Sequence, residues 1–303
     1  MPDFDQVIAG TDFSECARRA VVEGSRIARA SGTPLHLVHI VDPGRIEYIQ
    51  DFASVSTDEI LENARGQLKE IAAPIRGDGL DISLEVVIGH PLEELLRMTQ
   101  AHSGALLVLG AHGYHEQRQA TGTLSVKCVR KAEVPVLLVR EAPKHPYGKV
   151  AACVDFSDTS LEALHLAASI ANTDGAVLEI LHVHYPPWKQ PVAVQYNLAA
   201  SPDAEYRTHY EGFLADKLES TAQKIRSEFP DLTVNTHLIE RSHPAYGIVD
   251  FLAESKADLA VTGTRGRKGL RAMLLGTTAE RILHECPCSL VAVKPEGFTY
   301  PHR

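Results

Sequence analysis

The feature that most constrains this fold is an internal repeat that covers almost the whole chain. "VIAGTDFSECARRAV" near the start returns as "AACVDFSDTSLEAL", which matches Asp12 with Asp155. "LHLVHIVDP" (35–43) returns as "LEILHVHYPP" (178–187) at the same offset of 143, and "ALLVLGAHG" (105–113) returns as "DLAVTGTRG" (258–266) at an offset of 153. A chain of 303 residues suits two domains of roughly 150. We therefore predict one domain over residues 1–142 and a second over 148–303, with the linker "EAPKHPYGK" between them.

Each copy alternates short apolar runs with longer helical patterns. In the second copy the predicted strands are "KVAACV", "AVLEILHV", "LTVNTHLI", "ADLAVTG" and "CSLVAVK". Ser157 and Asp158 offer N-caps for one of the helices between them, and Thr277 offers an N-cap for another. This alternation predicts βαβ units, and hence a parallel sheet covered by helices on both faces. The predicted fold class is α/β, with two tandem doubly wound domains.

Composition excludes several classes of function. Hydrophobic residues at 44% and charged residues at 23% are typical of a soluble globular protein. The net charge of -9 argues against charge-driven nucleic-acid binding. No apolar run reaches the roughly 18 residues of a membrane span, and "MPDFDQVIAG" is not typical of a signal peptide. We therefore expect a cytoplasmic protein with no membrane span.

The five cysteines agree with a reducing compartment, because their number is odd and no CxxC pair is present. Cys286 and Cys288 form a CxC beside an apolar strand. That context favours two packed thiols over a metal or redox pair.

A glycine motif in the second copy is the strongest functional signal. Gly263, Gly266, Gly276 and Thr277 form G-x2-G-x9-G-T between a predicted strand and a predicted helix. Glycines allow positive φ angles and a close approach of backbone amides to an anion, and the helix start favours phosphate. The segment also carries four cations: Arg265, Arg267, Lys268 and Arg271. It is neither a Walker A loop nor a dinucleotide GxGxxG, and the open alternatives are a nucleotide phosphate site and a solvated loop.

The first copy departs from this motif. Gly110 and Gly113 remain, but only eight residues separate Gly113 from Gly122 and Thr123. The basic segment has become "YHEQRQAT", which carries the acidic Glu116. Reduced positive charge weakens the attraction for phosphate, so we expect this half to be a structural partner.

The motif spacing, "VDFS", "LHV" and "ADLAVTGTRG" resemble the universal stress protein family over both copies. "LLGTTAERILHECPCSLVAVKP" is similar to its tandem, UspE-like members. The resemblance implies five-stranded parallel sheets in the order 3-2-1-4-5 and ATP as cofactor of domain 2, with or without Mg. It places Asp155 and Val183 beside the adenosine. The other matching positions would complete the site around the phosphates: Thr262, Gly263, Arg265, Gly266, Gly276, Thr277 and Thr278.

The weaker site that the resemblance implies in domain 1 comprises Asp12, Ile40, Gly110, Gly113, Gly122 and Thr123. The resemblance also implies an intrachain pseudo-dimer of the two domains through their fifth strands, "VPVLLV" (134–139) against "CSLVAV" (288–293). A homodimer is a further implied assembly.

Several polar residues have competing interpretations. His39 and His182 match at strand ends, where each either hydrogen-bonds within the fold or touches a ligand. Asp12 and Asp155 would alternatively cap the following helices or satisfy nearby backbone groups. The pattern His112-x-x-His115-Glu116 favours surface histidines over a metal site, which needs three or four converging ligands.

The leading hypothesis is a stress-response protein that binds ATP in its C-terminal domain and acts as a regulatory protein. No GxSxG or catalytic cysteine signature is present, so we assign no catalytic residue. The alternatives are a nucleotide-independent scaffold, a slow ATPase, and a carrier of a small apolar or lipid-like ligand. The last would use the predicted long loop at 185–205, with Trp188 and Tyr196.

Overall fold

The structure is a computed structural model that describes residues 4–77, 79–113, 121–140, 146–189, 204–266 and 275–300. The chain divides into two compact units. Among the described residues, the first unit holds those up to 140 together with Leu275 and 289–300. The second unit holds 146–266 and 276–288.

The first unit alternates strands and helices as the apolar periodicity predicts. Its strands are β1 (Gln6–Gly10), β2 (Leu35–Val41), β3 (Ile82–Ile88), β4 (Ala105–Gly110) and β5 (Val136–Val139). Its helices are α1 (Glu15–Ser31), α2 (Pro43–Phe52), α3 (Thr57–Ala72), α4 (Pro91–Ala101) and α5 (Thr123–Lys131).

The five strands of the first unit form a parallel sheet in the order β3-β2-β1-β4-β5. This order, 3-2-1-4-5, is the predicted one. Helix α1 packs on β1 and β4, α3 on β2 and β3, and α4 on β1 and β2. Strand β4 is buried from Ala105 to Leu109, as an internal strand of a helix-covered sheet should be.

The second unit repeats this plan. Its strands are β6 (Lys149–Cys153), β7 (Val177–His184), β8 (Val234–Glu240) and β9 (Leu259–Gly263), parallel in the order β8-β7-β6-β9. Its helices are α6 (Asp158–Asp174), α7 (Ala204–Glu228), α8 (Pro244–Ser255) and α9 (Thr277–Glu285). The predicted long loop between the second and third strands lies mostly outside the described residues, at 190–203.

The last strand, β10 (Ser289–Val293), belongs to the first compact unit. It pairs antiparallel with β5, with Leu290 opposite Leu138 and Ala292 opposite Val136. The boundary predicted at 148–303 follows the sequence repeat, whereas residues 289–300 lie in the first compact unit.

Helix starts agree with the sequence in part. Ser157 is the N-cap of α6, and its hydroxyl accepts a hydrogen bond from the Ser160 amide. The N-cap of α9 is Gly276, so the predicted cap Thr277 is instead the first helical residue. Within the described part of the chain, the helices are too short or too polar to cross a lipid bilayer.

Candidate functional site

An Asp-Phe-Ser turn connects the first strand of the second unit to its helix. The Oδ1 atom of Asp155 accepts hydrogen bonds from the Ser157 amide at 3.0 Å and from the Ser157 hydroxyl at 2.5 Å. Between them, Phe156 has a φ of 62°, a left-handed conformation that is costly for a bulky residue. One oxygen of the carboxylate thus holds the turn that starts α6.

The first unit builds the same turn from its own copy of the sequence. The Oδ1 atom of Asp12 accepts from the Ser14 amide at 3.0 Å, and Phe13 has a φ of 65°. The alternative that these aspartates satisfy nearby backbone is therefore realised for one oxygen of each. The left-handed phenylalanines were not predicted, because sequence shows the matched "DFS" but not its backbone angles.

A histidine from the second strand packs under each of these phenylalanines. The Phe13 ring stacks on His39 with centroids 4.1 Å apart, and the Phe156 ring is tilted against His182 at 4.6 Å. The Nδ1 atoms of His39 and His182 bond the carbonyls of Thr11 and Val154 at 2.8 and 2.7 Å. Both histidines therefore hydrogen-bond within the fold, which is one of the two predicted outcomes.

These bonds fix the tautomer, because a carbonyl only accepts. Nδ1 carries the proton, and the neutral ring keeps Nε2 as an acceptor. Burial lowers the pKa of His39, and the Thr11 carbonyl opposes that shift only in part. His39 is thus a neutral polar group at neutral pH.

In the glycine motif, the missing side chains leave room for close contacts. A Cβ on Gly263 would lie 3.1 Å from the Thr159 Cγ2 atom, at the start of α6. A Cβ on Gly266 would lie 2.5 Å from the Oδ2 atom of Asp155. The motif therefore places Gly266 in contact with Asp155. Both are predicted site residues.

The expectation of positive φ at these glycines is wrong. Among the described glycines, positive φ occurs at Gly32, Gly77, Gly79, Gly175 and Gly297, all outside the motif. Gly276 has φ -61° and ψ 143°. Close approach, not left-handed backbone, is what Gly263 and Gly266 provide.

The third glycine of the motif, Gly276, is the N-cap of α9. The Gly276 amide donates to the Thr264 carbonyl at 3.1 Å, and Gly276 caps α9 without a side-chain hydrogen bond. The first amides of α9 therefore have no capping side chain, an arrangement that favours an anion. Thr277 is exposed and Thr278 half-buried on this first turn.

The remaining predicted residues of this half have mixed placements. The Val183 side chain packs against α8, because a Cβ on Gly247 would lie 2.9 Å from its Cγ1 atom. Thr262 is buried at the end of β9, and the Arg265 carbonyl accepts from the Ser157 hydroxyl at 3.5 Å. Three predicted cations lie outside the described residues: Arg267, Lys268 and Arg271.

A cavity of about 440 Å³ lies at the carboxyl ends of β1, β2 and β4 in the first unit. Its volume is within the range of small-molecule sites. Four of the residues predicted for this half line it: Asp12, Ile40, Gly110 and Gly113. Gly122 and Thr123, at the start of α5, are not among the lining residues.

The cavity also has a polar edge that sequence reasoning missed. Asp42 and Arg45 line it from the start of α2, and Ser125 from α5. The Asp42 carboxylate accepts from the Gly44 amide at 2.9 Å, as an N-cap does. The signal was present as Asp-Pro-Gly directly after β2, a typical helix start at the ligand-binding edge of such sheets.

Comparison with known proteins decides the family. A family model described as "Universal stress protein family" matches residues 3–140 and again residues 146–294. The chain belongs to the universal stress protein family. Universal stress protein Rv2005c of Mycobacterium tuberculosis is 25% identical over 301 residues, which cover 95% of this chain and 96% of the relative. Universal stress protein E of Salmonella typhi is 26% identical over 270 residues, 82% of this chain and 81% of the relative.

Solved structures agree on the fold of this universal stress protein. A universal stress protein from Archaeoglobus fulgidus aligns with a TM-score of 0.66 at 19% identity, over 95% of this chain and 96% of the other. The Pseudomonas aeruginosa protein PA1789 aligns with a TM-score of 0.65 at 18% identity, over 97% and 94%. The chain is therefore a tandem-domain member with two α/β domains.

The described part of this universal stress protein contains no group of three metal-ligating side chains that could hold an ion. His115 and Glu116, which complete the pattern that begins with His112, lie outside the described residues. His112 itself lines the cavity of the first unit.

Proposed function

We propose that this universal stress protein binds an adenine nucleotide, ATP, at the carboxyl edge of its C-terminal domain. The observation that carries the proposal is the convergence of Asp155 with Gly266. One carboxylate oxygen holds the turn into α6, and the other faces the glycine motif. A carboxylate beside a glycine-rich loop, at the end of the first strand, is suited to a ribose hydroxyl.

Phosphate would lie at the start of α9. Gly276 leaves the first amides of that helix without a side-chain cap, and the helix dipole favours negative charge there. The motif adds Arg265, Arg267, Lys268 and Arg271 in a chain whose net charge is -9. Such a concentration of positive charge supports an anionic ligand with or without Mg.

The bound nucleotide would act by differential affinity for two conformations, which is regulation rather than catalysis. The odd number of cysteines and the lack of a CxxC pair in the sequence support a cytoplasmic setting. The antiparallel pairing of β5 with β10 supports the predicted association of the two repeats through their fifth strands. A homodimer remains a further prediction.

A second candidate function concerns the first half. Its cavity is large enough for a nucleoside or a similar small molecule, and its lining combines aliphatic side chains with Asp12, His39 and Arg45. The shortened glycine motif of this half carries fewer cations. We therefore propose a ligand with a ring or apolar body and without a polyphosphate in this half.

Isothermal titration calorimetry of the full chain with ATP tests the leading proposal. Saturable binding of ATP that weakens for adenosine would support a site that contacts both adenosine and phosphate. Absence of saturable binding would contradict it and leave the scaffold hypothesis.

Two further measurements test the carrier and ATPase hypotheses. Mass spectrometry of small molecules retained through purification tests the carrier of an apolar ligand. Release of inorganic phosphate from ATP tests the slow ATPase.

A further inference from the structure

Two cysteine sulfurs lie side by side where the chain leaves α9. The Sγ atoms of Cys286 and Cys288 are 3.7 Å apart. Cys286 is the C-cap residue of α9, and its amide donates to the Ile282 carbonyl at 2.8 Å. The residue between the two cysteines is Pro287, whose ring restricts the backbone. The short connection and the fixed helix end hold the two thiols near each other.

The two thiols differ in exposure. The Cys286 side chain is buried at 3% exposure, whereas Cys288 is half-buried and reaches solvent. Oxidation of cysteine depends on access of the oxidant, so Cys288 is the sulfur that a dissolved oxidant meets first. The buried Cys286 sulfur lies 3.7 Å from it, close enough to be the second thiol that attacks an oxidised Cys288.

We propose that Cys286 and Cys288 form a reversible oxidation site, at which a hydroperoxide converts the two thiols into an intrachain disulfide. The sulfurs must approach from 3.7 Å to the roughly 2.05 Å of an S–S bond. Rotation of the half-exposed Cys288 side chain would bring its sulfur toward Cys286. The site is independent of the nucleotide proposed for the same domain.

The reaction balances in two steps. The Cys288 thiolate attacks one oxygen of hydrogen peroxide, the O–O bond breaks, and the products are a sulfenic acid and, after proton transfer, water. The Cys286 sulfur then attacks the Cys288 sulfur and displaces hydroxide, which leaves as water with the Cys286 proton. Two thiols are oxidised to one disulfide, and one peroxide is reduced to two waters.

The other cysteines provide internal references. Burial raises the pKa of both Cys128 and Cys153 to about 12, and the nearby Cys286 adds to the shift at Cys153, so each remains a thiol at neutral pH and Cys128 is the reference without such a neighbour. Both side chains are buried, at 0% and 6% exposure. We expect neither to react at a peroxide dose that oxidises the pair.

Mass spectrometry of the full chain after hydrogen peroxide treatment tests the proposal. Trypsin cleavage after Arg281 releases residues 282–303, which contain Cys286 and Cys288 and no other cysteine. We expect this peptide to become lighter by the mass of two hydrogens and to resist iodoacetamide until a dithiol reductant is added. Phenylarsine oxide, which bridges two neighbouring thiols with loss of one water, should bind the same peptide in the reduced protein.

Matched variants complete the test. Cys128→Ser should leave the pair fully oxidisable, whereas Cys288→Ser should abolish the mass loss and the arsenical adduct. Two alkylated cysteines in the peroxide-treated wild type would overturn the proposal, as would a disulfide formed only between chains. Because the wild-type readout needs no substitution, poor folding of a variant cannot leave the question open.

Discussion

At the scale of single residues, Asp155 has two roles: it stabilises the turn into α6, and it is part of the candidate site. Its Oδ1 atom accepts two hydrogen bonds from Ser157, which fixes the entry into α6. Its Oδ2 atom lies where a side chain on Gly266 would be. Any change that moves this carboxylate should therefore alter both stability and ligand affinity.

Gly266→Ala tests that connection. The new Cβ would lie 2.5 Å from Oδ2, so Asp155 must turn away and its bonds to Ser157 weaken. We expect a loss of about 1 kcal/mol in the free energy of unfolding, measured by denaturant titration. ATP affinity should fall by about tenfold, which corresponds to about 1.4 kcal/mol.

Gly212→Ala is the matched control. Gly212 lies exposed in α7, and within the described part of the chain a Cβ there would have no neighbouring atom within 4 Å. An alanine at this position should raise stability by about 0.5–1 kcal/mol through helix propensity and leave ATP affinity unchanged. Equal affinity losses in both variants would contradict a specific role of the Gly266 contact.

His39 makes stability depend on pH. Burial lowers its pKa from the ordinary value of 6.5, so the unfolded chain binds the proton more readily than the folded chain. The contribution of neutral His39 is fully present above pH 6.5 and is lost as the pH falls from there through the lower folded pKa. Urea unfolding at a series of pH values should show stability decreasing below pH 6.5.

His39→Asn keeps a donor toward the Thr11 carbonyl but does not titrate. Its stability should therefore fall less steeply with acid than that of the wild type. Some slope should remain, because burial also lowers the pKa of His184. The exposed His209→Asn should follow the wild-type curve, and identical curves for all three proteins would rule out the contribution of His39.

At the scale of elements, α9 connects the glycine motif to the thiol pair. Gly276 occupies its N-cap position. Among the described residues, a Cβ there would contact the Thr264 carbonyl, at an ordinary distance of 3.6 Å. The position therefore accepts a side chain without a clash. This permits a substitution that separates helix stability from anion binding.

Gly276→Asp should leave folding intact while it removes the anion site. Aspartate is a good N-cap, so the free energy of unfolding should stay within about 0.5 kcal/mol of the wild type or rise. Its carboxylate would occupy the first amides of α9 and repel phosphate. Thermal unfolding checks the first expectation, and a large loss of stability would show that the glycine is needed for folding.

The order of elements could be predicted from the sequence, but several contacts of the site could not. The apolar periodicity of "KVAACV" and "ALLVLG" is local, so it predicts buried parallel strands. The need for glycine at 263 arises from the approach of β9 to Thr159 in α6, a contact between segments about a hundred residues apart. Glycine at 263 was therefore predicted for the wrong reason, because the position requires a close approach to Thr159 and not a positive φ. The predicted packing of Cys286 and Cys288 agrees with the 3.7 Å between their sulfurs, a distance that the CxC pattern alone does not give.

At the scale of the whole molecule, β10 belongs to the first compact unit, where it pairs with β5. Leu290 is 1% exposed and lies opposite Leu138 in the antiparallel pair. Leu290→Asp places an unpaired charge in this core, which should cost about 3 kcal/mol or more. Hydrogen exchange should then increase in β5, although the substitution lies in the second sequence repeat. Unchanged exchange at Val136–Val139 would contradict the grouping of β10 with the first unit.

The two halves differ in the features that would select a ligand. The second half has the full glycine motif and its basic residues, and the first half has a cavity of about 440 Å³ with a shortened motif. The shortened motif and its reduced positive charge predict that the first half is a structural partner. Its cavity could not be predicted, because cavity volume depends on how α2, α4 and α5 pack around the strand ends. The two halves are therefore best compared by matched substitutions in the same chain.

The proposed ATP site lies in the C-terminal half, at the start of α9. Its most direct test is calorimetric titration of ATP into the wild type, Gly276→Asp and Gly122→Asp, which changes the matching N-cap of α5. We predict saturable binding by the wild type and by Gly122→Asp, and affinity at least about tenfold weaker in Gly276→Asp. Unchanged binding by Gly276→Asp together with loss in Gly122→Asp would contradict the account and place the nucleotide in the first half.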